Sequence, residues 1–164
     1  MARNRGAVTM LDERIRVLIV DDDVQVLELM HEMLGSAGFA VREARDGKGA
    51  LRELAANRPD VMILDLRIPV IDGHGVIAEM ERSGAEIPTV VVSAFLSEER
   101  WALPAWVVSE PKPLELARVP DLIRLALERI PPTDARASAR RIVALLDRIS
   151  ASLRDTHTRI TPAQ

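Results

Sequence analysis

Val17-Leu18-Ile19-Val20-Asp21-Asp22-Asp23 opens the readable part of the chain and decides the fold. Four branched apolar residues in a row, led in by Arg16, read as a strand buried on both faces, and the run stops abruptly at three aspartates. The same sentence is written again downstream: Val61-Met62-Ile63-Leu64 runs into Asp65. Between the two lie Val24 to Leu34, apolar at 24, 26, 27, 29, 30, 33 and 34, which fits a helix packed on one side, and Gly35 and Gly38, which end it. A less buried strand is expected over Phe39 to Ala44, a turn at Asp46-Gly47, and a helix over Lys48 to Ala56.

Beyond Asp65, Pro69 and Gly73 punctuate a loop, Val76 to Arg82 reads as a helix, and Pro88 to Ala94 as a valine-rich fourth strand. Trp106-Val107-Val108 supplies a fifth strand and Leu114 to Ile130 a fifth helix, whose regular part is expected near Asp121 because Pro120 donates no hydrogen bond. Strands alternating with helices at this spacing imply parallel crossovers, and a sheet covered on both faces binds its ligands beyond the carboxyl ends of its strands. Residues 1–14 read as a loose lead-in, 15–130 as one α/β domain, and 131–164, after Pro131-Pro132, as a C-terminal helical extension. Thr133 can cap a helix there running to about Arg154. Its stripe of Ile142, Leu145, Leu146, Ile149 and Leu153 either packs on its own domain or pairs between two chains, as a homodimer; both readings stay open.

Composition narrows the function. The 164 residues are 48% hydrophobic, so a sizeable core is available. There is no cysteine, which excludes disulfides and thiol chemistry and suits a cytoplasmic protein. Aromatics are 2%, too few for a base-stacking platform, and net charge is −3. No apolar run suits a membrane span or an export signal. The length left after the α/β domain is short for a helix-turn-helix output domain, so direct DNA binding is not expected.

Two parallel strands in one sheet bring Asp21, Asp22 and Asp65 to the same edge. Clustered carboxylates repel one another, and a divalent cation resolves the repulsion; magnesium prefers oxygen ligands and bridges carboxylate to phosphate. Ser93, ending the fourth strand, and Lys112, after the fifth, belong to that edge as donors to a phosphoryl oxygen or a carboxylate. Taken singly these residues have plainer readings: Asp23 as a helix cap, Ser93 as a strand-end hydroxyl, Lys112-Pro113 as a surface turn, and His31, His74 and His157 as surface side chains with no zinc site among them.

Five motifs in order resemble the receiver domains of two-component response regulators, chemotaxis-regulator-like, over about residues 15 to 130. They are the stretch from Val17 to Asp23; Asp65-Leu66-Arg67-Ile68-Pro69-Val70-Ile71-Asp72-Gly73; Val90-Val91-Val92-Ser93-Ala94; Lys112-Pro113; and Leu34 with Gly38, Val41, Ala44, Gly47 and Ala50-Leu51. The resemblance implies a flavodoxin-like three-layer α/β/α fold around a five-stranded parallel sheet. It implies Asp65 as phosphoacceptor for a sensor histidine kinase or phosphotransfer protein, within a phosphorelay, with no separate catalytic activity. Mg2+ would be held by Asp21, Asp22, Asp65 and the Arg67 backbone carbonyl, and Ser93 and Lys112 would sense the phosphoryl group. Output would run through protein contact or dimerisation. The position of the family's switch aromatic is taken by Ser109, and the chain has no tyrosine. The segment from Ser93 to Lys112 is short for the family, so a short or irregular fourth helix is expected. Two other readings remain: a phosphorylation-independent interaction module of the same fold, and a magnesium phosphohydrolase using Asp21 and Asp23.

Overall fold

The computed structural model describes residues 14–94, 96, 102–129, 146, 147, 150 and 151. Five strands, β1 (Arg16–Val20), β2 (Ala40–Ala44), β3 (Val61–Leu64), β4 (Thr89–Ser93) and β5 (Val107–Pro111), form one parallel sheet in the order β2-β1-β3-β4-β5. Helices α1 (Val24–Ser36), α2 (Gly47–Asn57), α3 (Gly73–Ser83) and α4 (Val119–Arg129) connect or follow them. The order reverses between β1 and β3, and such a switch point opens a crevice at the carboxyl edge. The flavodoxin-like α/β/α expectation therefore holds.

Period-two alternation sends successive strand residues to opposite faces. Val17, Ile19, Val61, Ile63, Val90, Val92 and Val108 pack with Leu27, Met30 and Leu34 of α1 and Leu122, Ile123 and Ala126 of α4. Leu18, Val20, Met62, Leu64, Val91 and Val107 pack instead with Ala50, Val76, Ile77 and Met80 of α2 and α3. Each buried side chain of this size contributes about 1.5–3 kcal/mol, which is what holds three layers together. β2 lies at the sheet edge with Arg42 and Glu43 exposed, as its weaker alternation predicts.

Aspartates start three of the helices. Asp23, Asp46 and Asp72 accept from the backbone N–H of Gln25, Gly49 and Gly75 at 2.9, 2.6 and 2.8 Å. Gly84, in the left-handed region at φ 63°, closes α3. Two expectations need correction. The fifth strand is Val107–Pro111, longer than Trp106–Val108, because it pairs with β4 from Thr89–Val107 to Ser93–Pro111, and an edge strand accommodates a final proline. Of the helix expected over Leu114 to Ile130, the regular part begins at Val119, close to the expected Asp121, and Leu116–Arg118 before it form a 3-10 turn instead. Pro120 then sits in the first turn, where its missing N–H leaves no interior bond unmade.

Between β4 and β5 no helix occurs among the described residues. The expected helix from Thr133 to Arg154 lies outside them except at 146, 147, 150 and 151, as do residues 1–13 and His157. Leu146 is fully buried in the cluster of α1 and α4, and Arg124 of α4 binds Asp147 at 2.5 Å, so at this point the stripe packs in cis. Among the described residues, no helix is long and apolar enough to cross a membrane.

Candidate functional site

Each strand of the crevice holds the next functional residue by continuing its ladder one step. The N–H of Asp21 donates to Ala44 O at 3.2 Å, that of Asp65 to Val20 O at 2.9 Å, and that of Lys112 to Ser93 O at 3.0 Å. The three side chains consequently emerge at one edge. Lys112 Nζ lies 2.8 Å from Asp65 Oδ2 and 3.0 Å from Asp21 Oδ2. The remaining oxygen of each carboxylate is held from below by the backbone two residues on: Asp23 N–H donates to Asp21 Oδ1 at 2.9 Å, and Arg67 N–H to Asp65 Oδ1 at 3.0 Å. These turns lock both side chains before any ligand arrives.

Asp21 and Asp65 are buried, whereas Asp22 is exposed. One carboxylate oxygen from each of the three lies within 4.8 Å of the others. An all-oxygen, triply anionic set of this kind fits a hard divalent cation such as Mg2+ rather than a soft metal. Burial works against the Lys112 ammonium, but its hydrogen bonds to Asp65 and Asp21 outweigh that, and its pKa is raised above the ordinary lysine value. The peptide bond from Lys112 to Pro113 is cis.

Ser93 is fully buried at the end of β4, at the same edge. Ser109 is not brought in: it lies within β5 opposite Val91 and is exposed. His31 pairs with Glu43 at 2.5 Å on the surface, away from the carboxylates. Sequence reasoning missed two features. A cavity of about 520 Å³ adjoins the carboxylates, its polar lining made by Asp21, Asp23, Asp65 and Lys112 and its apolar lining including Leu29, Met30, Leu114 and Leu116. The signal available was Leu29, a large apolar residue on a helix position that the burial pattern leaves half exposed.

The second feature is the tightness of the loop after Asp65. Gly73 N–H donates to Leu66 O at 2.9 Å, and a Cβ on Gly73 would stand 2.7 Å from Asp65 O. Pro69 O accepts from Gly47 N–H at 3.3 Å, which clips the loop to the start of α2, and from Ile71 N–H at 2.9 Å. The second bond closes a three-residue γ-turn whose central Val70 has φ 71°, a strained conformation for a β-branched residue.

The response regulator receiver domain model matches residues 17–102. Response regulator MprA of Mycobacterium bovis is 35% identical over 127 residues, covering 76% of this chain and 55% of that protein. Transcriptional regulatory protein PrrA of the same species is 43% identical over 79 residues, covering 48% and 34%. Among solved structures, chemotaxis response regulator CheY4 of Vibrio cholerae superposes with a TM-score of 0.57 at 26% identity, covering 71% of this chain and 98% of that one. The receiver domain of the Francisella response regulator 1452 superposes with a TM-score of 0.60 at 21% identity, covering 71% and 98%, and shows the fold alone.

The chain thus spans about half the length of the MprA relatives it matches. This overturns the expectation of no direct DNA contact. One relative is a transcriptional regulatory protein, and the expectation rested on there being too little length after the α/β domain, an argument without force when so much of the relatives lies outside the match. The carboxylate edge, the parallel sheet and these similarities agree: the chain belongs to the response regulator receiver domain family of two-component signal transduction.

Proposed function

We propose that Asp65 accepts a phosphoryl group from the phosphohistidine of a histidine kinase. The observation that carries this is the shared grip of Lys112 on Asp65 and Asp21 at 2.8 and 3.0 Å beside the third carboxylate of Asp22. A carboxylate oxygen of Asp65 forms the new O–P bond as the P–N bond of the donor breaks, and the imidazole leaves with that electron pair and takes up a proton. Asp21, Asp22, Asp65 and the Arg67 carbonyl would hold Mg2+, which when bound offsets the charge between carboxylate and phosphoryl oxygens. The backbone N–H of Arg67 keeps Asp65 oriented throughout. Lys112 then pairs with the phosphoryl oxygens, and Ser93, at the end of β4, donates to another. Residues 15–130 are the switching unit, 131–164 an appendage, and output runs through protein contact at the changed surface.

A phosphorylation-independent role of the same fold is favoured by one observation, the exposed Ser109 where the family carries an aromatic switch. Beryllofluoride with Mg2+, which mimics an aspartyl phosphate, separates the two. Under the first reading it shifts the backbone amide resonances of Ser93 and Lys112 in wild type and leaves Asp65→Asn unchanged. Identical spectra with and without it, in protein shown to bind Mg2+, would support the second.

A further inference from the structure

The cavity beside Asp65 extends away from the phosphoryl chemistry. Asp22 and Ser93, which a metal ion and a phosphoryl group would engage, take no part in its lining. Ile19, Met30, Ile63 and Val92 of its wall belong instead to the apolar layer between the sheet and α1. The cavity therefore runs from the carboxylate edge down between α1 and the chain that follows β5.

The late start of α4 leaves this space open. Because the regular helix begins only at Val119, Leu114 and Leu116 line the cavity from outside it and stay half-buried. Leu29, on the α1 wall, is 51% exposed. The space between them, about 520 Å³, falls in the range of small-ligand pockets, roughly 300–1,000 Å³, and mostly apolar walls with a few polar groups at one end are what such pockets present.

The charged end selects the ligand. Lys112 is committed to Asp65 and Asp21 at 2.8 and 3.0 Å, which leaves it poorly placed to receive an anion. Asp23 differs from the other two carboxylates of the lining. It is exposed, accepts the Gln25 N–H at 2.9 Å, and has no cationic partner among the described residues. A carboxylate has acceptor sites to spare after one such bond. Three carboxylates against one ammonium also leave this end negative, so the complementary ligand is a cation with an apolar body.

We propose that the cavity binds a small organic amine, its ammonium on Asp23 and its apolar body against Leu29, Leu114 and Leu116. The site adjoins the metal set: Asp23 N–H holds Asp21 Oδ1 at 2.9 Å. A cation on Asp23 adds positive charge beside the Mg2+ ligands, so amine and Mg2+ bind antagonistically, each weakening the other by the same factor. That consequence rests on the Mg2+ reading of Asp21, Asp22 and Asp65; the amine site does not.

The probe is 2-phenylethylamine, and 3-phenylpropionate, with the opposite charge on a similar body, is its control. Both are titrated into the full chain without Mg2+ and followed by amide resonances. The amine shifts Asp23, Leu29 and Leu116 with a Kd on the order of 1 mM or below, and the carboxylate shifts none of them. Asp23→Asn keeps the helix cap, because asparagine caps as well as aspartate, and raises the amine Kd about fivefold. Asp22→Asn, which removes a neighbouring charge outside the lining, has a smaller effect. No shifts at millimolar amine, equal shifts with both probes, or equal losses in the two variants would overturn the site. With saturating Mg2+ the amine Kd in wild type rises about threefold or more. An unchanged Kd in protein shown to bind Mg2+ would keep the site and overturn the antagonism. If the carboxylates bind no Mg2+, the titration without it still decides the site.

Discussion

Lys112 Nζ and Asp65 Oδ2 lie 2.8 Å apart, and the same ammonium reaches Asp21 Oδ2 at 3.0 Å. One ammonium thus bridges two buried carboxylates and offsets part of their mutual repulsion. Lys112→Met leaves those carboxylates facing each other, which costs about 3 kcal/mol or more of stability without divalent cation. Mg2+ should bind the variant more tightly than wild type and return much of the loss, because binding to the native state stabilises it. Denaturant titrations with and without Mg2+ check this; equal losses in both conditions would contradict it.

The raised pKa of Lys112 sets the sign of a pH effect. Its burial opposes the ammonium, while Asp65 and Asp21 hold it protonated. A group with a raised native pKa contributes stability that is complete below the unfolded value, about 10.4 for lysine, and is lost as pH rises through the native value. The stability difference between wild type and Lys112→Met should be flat from neutral pH to about 10 and shrink above it.

Gly47 is where α2 meets the loop of Asp65. A Cβ there would stand 1.9 Å from Ile71 O, a backbone atom that cannot simply swing away. Gly47→Ala should destabilise the fold by about 2 kcal/mol, in the range for overpacked sites, and shift the amide resonances of Pro69-flanking residues and Asp65. Urea unfolding and a two-dimensional amide spectrum report both effects.

Val70 tests the strain at the other side of that loop. It is exposed, with φ 71°, and its side chain gains little from its place. Glycine relieves about 1–3 kcal/mol of strain and gives back about 0.5–1 in chain entropy, so Val70→Gly should raise stability by roughly 1 kcal/mol. A lower melting temperature would show that the turn is held by something other than the γ-turn bond.

Leu146 carries the cis packing of the appendage. Leu146→Ala should cost about 2–5 kcal/mol, as for other fully buried leucines, and the loss should not depend on protein concentration. A loss that disappears on dilution would place the side chain against a second molecule.

The sheet and the carboxylate edge were legible because they rest on local pattern. Runs such as Val17 to Val20 and Val61 to Leu64 can only be buried on both faces, and parallel pairing then brings Asp21 and Asp65 together. Asp23 was readable as a cap for the same local reason. The start of α4 was legible to within two residues from Pro120, but the 3-10 turn over Leu116–Arg118 before it was not, because Leu114 and Leu116 suit a helix face as well as the cavity wall they build. Nor was the turn at Val70, where the loop's closure onto Gly47 overrides the preference of a β-branched residue. The partner of Leu146 could not be read from its stripe, since a helix face records that it is covered and not by which chain.

The central claim is that Asp65 is a phosphoacceptor, and intact-mass analysis tests it most directly. Wild type and Asp65→Asn are incubated with phosphoramidate or acetyl phosphate and Mg2+. The arrangement of Lys112, Asp21 and Asp22 around Asp65 predicts a single phosphoryl adduct on wild type and none on the variant. An adduct of equal extent on both proteins, or none on wild type that binds Mg2+ and beryllofluoride, would contradict it.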